Sequence, residues 1–276
     1  MKDILVPIDF SEASFNAMHY AAFLANAFSA NLIVMHAYTG TQGFDETLDN
    51  QVYDSIEELD EANEQFLKNE INGVIRNFTI KAEGIISKGS APVVIKEIAE
   101  KRKVSLIVMG MKGKGESNSI FGSTTTAMVT KVDSPLLVVP QNAPYEVINN
   151  ITIATDFTDE KLPPNWDLLA SLIEKFNAFV QILNIRKKNE EHLEKIIADK
   201  HGAAELWNNH AHSFNIIESD DVVDGINKFL HSKPTDLLVM ISRKRNFLER
   251  IWGVSHTKEM TKQVGIPMLV LHEENE

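Results

Sequence analysis

Two stretches of this sequence carry residue types that could do chemistry. The first is Asp9, which follows the apolar run Ile4-Leu5-Val6-Pro7-Ile8. A carboxylate at the end of a buried parallel strand can accept hydrogen bonds from a ribose hydroxyl or a base amine. It can equally help to cap a helix that starts after Ser11, and the two readings stand side by side. The second stretch is Gly110-Met111-Lys112-Gly113-Lys114-Gly115, which follows the apolar run Val104 to Met109. Eight residues then separate Gly113 from Gly122-Ser123-Thr124-Thr125. Glycine lets backbone N–H groups approach a phosphate with no Cβ in the way. A helix opening at Gly122 would add orphan N–H donors and the positive end of its dipole. Ser123 and Thr124 would add hydroxyls. The loop holds the parts of a phosphate cradle.

The elements that must position these residues come twice. Residues 4–12 read ILVPIDFSE and residues 151–159 read ITIATDFTD; 106–109 read LIVM and 237–240 read LLVM; 132–139 read VDSPLLVV and 264–271 read VGIPMLVL. Three matches in the same order indicate two copies of one domain. The expected domains are 1–143 and 147–276, joined by a polar stretch that contains Pro144. In the first copy, strands are expected at 3–8, 31–37, 79–86, 104–109 and 135–139, and helices at 12–28, 48–76, 91–102 and 122–132. In the second, strands are expected at 150–155, 179–185, 213–218, 236–241 and 267–271, and helices at 160–177, 190–210, 221–232 and 253–264. Strands apolar throughout, alternating with helices, indicate a parallel sheet covered on both faces. The fold class is therefore α/β, with two tandem doubly wound, Rossmann-like domains. In such sheets ligands sit beyond the carboxyl ends of the strands, where the strand order reverses.

Composition narrows the function classes. Of 276 residues, 43% are hydrophobic and 24% charged, which suits a globular chain with a buried core. There is no cysteine, which excludes disulfides, thiolate nucleophiles and cysteine-based zinc sites. The net charge is −12. Up to Glu146 there are 12 basic and 19 acidic residues, and 15 and 20 beyond it. Both parts repel a polyanion, so no nucleic-acid partner is expected. No apolar run approaches the length of a membrane helix and no signal peptide is legible, so the expected location is cytoplasmic, with no membrane partner.

The residues around both stretches resemble those of the universal stress proteins of the UspA type, arranged in tandem. The match lies in I-L-V-P-I-D-F-S-E and in V-M-G-M-K-G…G-S-T-T…S-P-L-L-V-V-P, with weaker echoes through the second copy. The resemblance implies a fold akin to the adenine nucleotide alpha hydrolases. ATP-binding members carry G-x2-G-x9-G-[ST] after the fourth strand. Gly110, Gly113, Gly122 and Ser123 take those positions, followed by Thr124, with eight residues in the longer gap instead of nine. The resemblance further implies adenine and ribose contacts from Pro7, Asp9, Ala37 and Met109, and phosphate contacts from the glycines and Ser123. It implies ATP, or ADP or AMP, as ligand, with Mg²⁺ accompanying the phosphates. It also implies pairing through the fifth strands, here between 135–139 and 267–271 as an internal pseudo-dimer, with a homodimer as a further level of assembly.

The second copy has lost the glycines. Aligned through Pro267 and Pro135, the equivalents of Gly110, Gly113 and Gly122 are Ile241, Lys244 and Val254, while Asp156 and Ser255 survive. Two of the three replacements are β-branched and resist positive φ. Only the first copy is expected to hold a nucleotide. The second copy's loop, Ser242 to Arg250, is basic and reads first as a solvated surface.

Other candidates carry less. His36 ends the second strand beside the expected adenine site and reads first as a structural imidazole. His210 and His212 straddle a turn without metal-ligand spacing. Neither a G-x-S-x-G elbow nor a G-x-x-x-x-G-K-[ST] loop occurs. The segment 45–70 holds ten acidic residues and one lysine, with Val52, Ile56, Leu59, Phe66 and Ile71 as a helical seam. The expected function is a stress-response sensor or regulatory module that binds an adenine nucleotide in the first domain, with no efficient catalysis. A slow ATPase, with Glu116 as a conceivable base, and a nucleotide-free interaction scaffold are the rival readings.

Overall fold

The computed structural model describes residues 1–39, 56–111, 123–155, 165–186, 210–242 and 265–272. The chain divides into two compact units, Met1–Tyr145 and Glu146–Glu276.

In unit 1, strands β1 (Asp3–Ile8), β2 (Asn31–Tyr38), β3 (Lys81–Lys88), β4 (Leu106–Met111) and β5 (Leu136–Pro140) alternate with helices. The helices are α1 (Glu12–Phe28), α2 (Ile56–Ile75), α3 (Ala91–Arg102) and α4 (Ser123–Lys131). The strand order is β3-β2-β1-β4-β5, and β1–β2, β1–β4, β2–β3 and β4–β5 all pair in parallel. Ile4, Leu5, Val6, Leu32, Ile33, Val34, Leu106, Ile107 and Val108 are all fully or almost fully buried. That two-sided burial is why these strands read as unbroken apolar runs rather than alternating ones.

The helices end where their sequence says they should. Ser11 caps α1, its hydroxyl accepting from the Ser14 N–H at 3.3 Å. Ser29 and Lys103 close α1 and α3 in the left-handed conformation. Pro92 stands in the first turn of α3, where its missing N–H costs nothing. The core face of α2 is Leu59, Asn63, Leu67, Ile71 and Val74, all buried. This corrects the expected seam: Phe66 is 40% exposed, one position off the buried stripe. Residues 48–55, the expected start of that helix, lie outside the described residues. The third strand runs 81–88 rather than 79–86. The Thr79 amide is taken by the Asn26 side chain at 3.2 Å, and Ile80 turns back onto the Phe78 carbonyl at 3.0 Å.

Unit 2 contains β6 (Asn150–Ala154), α5 (Trp166–Phe176), β7 (Phe179–Arg186), β8 (His212–Glu218), α6 (Val222–Ser232), β9 (Leu237–Ser242) and β10 (Met268–His272). Its strands follow the order β10-β9-β6-β7-β8, all pairs parallel. Asp221 caps α6, accepting from the Asp224 N–H at 3.0 Å. Of the helices expected at 190–210 and 253–264, residues 190–209 and 253–264 fall outside the described residues. No helix among the described residues is long and apolar enough to cross a membrane.

Candidate functional site

The strand order of unit 1 reverses between β1 and β4. From β1 the chain winds outward through β2 to β3, then returns to β1's other side as β4. The crevice at the carboxyl ends of β1 and β4 is therefore the place where a ligand fits an open α/β sheet.

The register sets what meets there. Ile4 pairs with Leu106 and Leu5 with Ile107; carried forward along the two strands, that register sets Pro7 level with Met109 and Ile8 level with Gly110. On the other side the pairing ends with Ile8 beside His36, and Asp9 and Ala37 are the next residues along each chain. Pro7, Asp9, Ala37, Met109 and Gly110 are thus gathered at one end of three adjacent strands. Asp9 is exposed, Pro7 and Ala37 half-buried, and Met109 5% exposed.

Asp9 is held by a short interlocked turn. Its Oδ1 accepts from the Ser11 N–H at 3.1 Å and from the Ser11 hydroxyl at 2.5 Å. The Ser14 hydroxyl donates to the Ser11 carbonyl at 2.9 Å and accepts from the Asp9 N–H at 3.3 Å. The capping reading of Asp9 is therefore realised: its carboxylate orients the N-cap serine of α1.

Phe10, between Asp9 and Ser11, has φ +58°. The left-handed region is unfavourable for a bulky residue, at a cost on the order of 1–3 kcal/mol. Ring contacts hold it there. The Phe10 centroid is 4.4 Å from that of His36 and 4.8 Å from that of Phe66, the latter edge-on. His36 is fully buried and its Nδ1 donates to the Ile8 carbonyl at 2.9 Å. Its imidazole is thus a brace between the ends of β1 and β2. The Tyr38 hydroxyl donates to Asp60 on α2, closing the far side of this cluster.

Gly110 has a packing reason of its own. A Cβ built on it would stand 2.4 Å from the Ala13 carbonyl oxygen and 2.8 Å from the Ser14 nitrogen. Only glycine lets β4 pass the first turn of α1 this closely. Helix α4 starts at Ser123 and is tied to the same strand end by a long bond from the Thr125 hydroxyl to the Gly110 carbonyl, 3.4 Å. Thr125 is buried and Thr124 half-buried. The opening turn of α4 thus adjoins the end of β4. Gly113, Gly122, Glu116, Asp156, Lys244, Val254 and Ser255 lie outside the described residues.

Sequence reasoning missed Phe10, Ser14 and Thr125. The D-F-S-E-A-S run held the signal for Ser14, a second hydroxyl in the first turn of a capped helix. Nothing in the sequence marks Phe10 as left-handed. Of the histidines, His212 Nδ1 contacts the His210 carbonyl at 2.9 Å, a local turn contact. Among the described residues no group of three or more His, Asp or Glu is placed to hold a metal ion.

A model of the universal stress protein family matches residues 1–140. The chain belongs to the universal stress protein family. A universal stress protein of Methanocaldococcus jannaschii, MJ0531, is 27% identical over 139 residues, covering 50% of this chain and 81% of that protein. A solved universal stress protein from Archaeoglobus fulgidus covers 99% of this chain and 98% of its own, with TM-score 0.75 and 18% identity, a likeness of fold. Another solved member, in complex with cAMP, covers 51% of this chain at 17% identity and TM-score 0.39. The universal stress protein match covers the unit that carries Asp9 and the glycine-rich loop.

Proposed function

We propose that unit 1 binds an adenine nucleotide at the carboxyl ends of β1 and β4 and acts as a stress-response sensor or regulatory module. The observation that carries this reading is the gathering of Pro7, Asp9, Ala37, Met109 and Gly110 at the strand-order reversal. The base and ribose would lie against Pro7, Ala37 and Met109, with Asp9 accepting from a hydroxyl or amine. The phosphates would run toward Gly113, Gly122, Ser123 and Thr124, where the α4 N-terminus supplies orphan N–H groups. Mg²⁺ would enter with a triphosphate through its phosphate oxygens, since it needs few protein ligands.

Unit 2, on this reading, is a second domain of the same family that does not hold a nucleotide. The protein works by binding rather than by turnover, and in the cytoplasm.

Mass spectrometry of the small molecules released from the purified chain tests the reading. An adenine nucleotide at one per chain is the expected result. Protein that carries none, and shows no heat when titrated with ATP, ADP or AMP, overturns it.

A further inference from the structure

The segment that leads from unit 1 into unit 2 is fastened to both arms of the proposed site. Its first residues leave β5 at Pro140. The Gln141 N–H donates to the Met111 carbonyl at 3.0 Å. Met111 is the last residue of β4, and the glycine-rich loop starts from it. The Gln141 side chain donates to Glu12 at 2.5 Å, in the first turn of α1. Asn16, one turn further on, donates through Nδ2 to the Pro140 carbonyl at 2.9 Å and the Ala143 carbonyl at 3.0 Å. One turn beyond that, the His19 ring stacks on Tyr145 with centroids 5.7 Å apart, and Phe78 meets Tyr145 edge-on at 6.4 Å.

Glu12, Asn16 and His19 share one helical face, at spacings of four and three residues. That face is occupied by residues 140–145, of which Pro140 and Ala143 are buried. The same helix is capped by Ser11, which Asp9 holds. A ligand on Asp9 and the end of β4 would therefore fix the two points, α1's first turn and Met111, on which Gln141 rests.

We infer that residues 140–145 form a clasp whose closure is coupled to nucleotide binding in unit 1, so that the ligand regulates the order of the chain leading into unit 2. This rests on the reading of the site as a nucleotide site. The coupling is one of shared ordering. A bound nucleotide immobilises Met111 and the start of α1, so docking Gln141 onto them then loses less entropy. Because binding free energies are reciprocal, opening the clasp must weaken nucleotide binding by the factor by which the nucleotide closes it.

The test is hydrogen exchange on the full chain with and without saturating ATP, beside calorimetric titration of the wild type, Asn16→Ala and Gln141→Ala. ATP is expected to slow exchange of the Gln141 and Ala143 amides at least fivefold. Both variants are expected to lose that protection and to bind ATP several-fold more weakly, with their far-ultraviolet spectra unchanged. If ATP binds but the Gln141 and Ala143 amides exchange at the same rate, the clasp is overturned and the site stands. Variants that bind ATP as tightly as the wild type overturn it too, and agreement between the two variants guards against one of them acting through misfolding. If none of ATP, ADP and AMP binds, the reading of the site falls and the coupling falls with it; if only ADP or AMP binds, the same comparison is made with that nucleotide and read in the same way.

Discussion

Gly110 passes so close to Ala13 that a single added carbon would stand 2.4 Å from the Ala13 carbonyl oxygen. The obstacle is helix backbone, which cannot rotate away as a side-chain tip can. Gly110→Ala is therefore expected to push α1 off β4 and to cost about 1–3 kcal/mol, the usual range for overpacking. Thermal denaturation would show this as a fall of several degrees. An unchanged melting temperature would mean the close approach relaxes freely. Gly113→Val should behave in the opposite way, leaving stability near the wild type and weakening adenine-nucleotide affinity at least tenfold, about 1.4 kcal/mol. The pair would separate a glycine needed by packing from one needed only by the proposed ligand.

His36 in unit 1 and Asn184 in unit 2 fill matching positions, and each donates to a carbonyl at the carboxyl end of the neighbouring first strand: Ile8, the last residue of β1, and Thr155, the residue after β6. The distances are 2.9 Å to Ile8 and 3.0 Å to Thr155. His36→Asn should keep this bond and lose only the ring contact with Phe10. His36→Leu should leave the Ile8 carbonyl unpaired in a buried place, at about 1–3 kcal/mol. Urea denaturation is expected to rank the three as His above Asn above Leu. A leucine variant as stable as the asparagine one would show that the bond contributes nothing.

How much of this was legible follows from how local each signal is. The buried strands were readable because a two-sided burial writes itself as an apolar run, as in Ile4 to Ile8 and Leu106 to Met109. The strand-end aspartate and the glycines were readable as residue types. The reason for Gly110 was not, because the Ala13 carbonyl that demands it comes from a distant part of the chain. Phe10 was not readable as left-handed, since the contacts that hold it come from His36 on β2 and Phe66 on α2. Hydrophobicity alone puts Phe66 on the core seam. Its helix instead turns Leu67 inward and leaves Phe66 to cover Phe10.

A buried polar group in unit 2 offers a third expectation. Thr152 and Thr235 share a hydroxyl–hydroxyl bond of 2.8 Å, and the Gln181 amide donates to the Pro234 carbonyl at 2.7 Å and reaches Thr152 at 3.5 Å. All three residues are at least nine-tenths buried. The matching positions in unit 1 are Leu5, Ile33 and Val104. Thr235→Val alone removes one partner from the Thr152 hydroxyl and should cost about 1–3 kcal/mol. Replacing all three together by Leu, Ile and Val removes the polar groups along with their needs. The triple variant is expected to recover most of that loss, since matched apolar replacement of a buried network is often neutral or stabilising. Additive losses across the three sites, measured by chemical denaturation, would mean the network acts as separate bonds.

The last expectation concerns stoichiometry. Both copies keep an aspartate after the first strand, Asp9 and Asp156, so a site defined by the carboxylate alone would occur twice. The copies part company at the end of the fourth strand. In unit 1 Gly110 lets the chain run against α1, and the loop it opens carries Gly113 and Gly122. In unit 2 the position in β9 that matches Gly110 is Ile241, followed in the sequence by Lys244 and Val254 at the glycine positions. Backbone donors that reach a phosphate depend on the absence of side chains at close approach. Arg243, Lys244 and Arg245 could attract an anion, but long side chains lose rotamer entropy in holding one and are screened by salt. One adenine nucleotide per chain is therefore expected by calorimetric titration. Asp9→Ala combined with Gly113→Val should abolish it, and Asp156→Ala should leave it close to the wild type. Two equivalent sites, or a single site sensitive to Asp156 alone, would show that the carboxylate and not the glycine loop decides where the nucleotide binds.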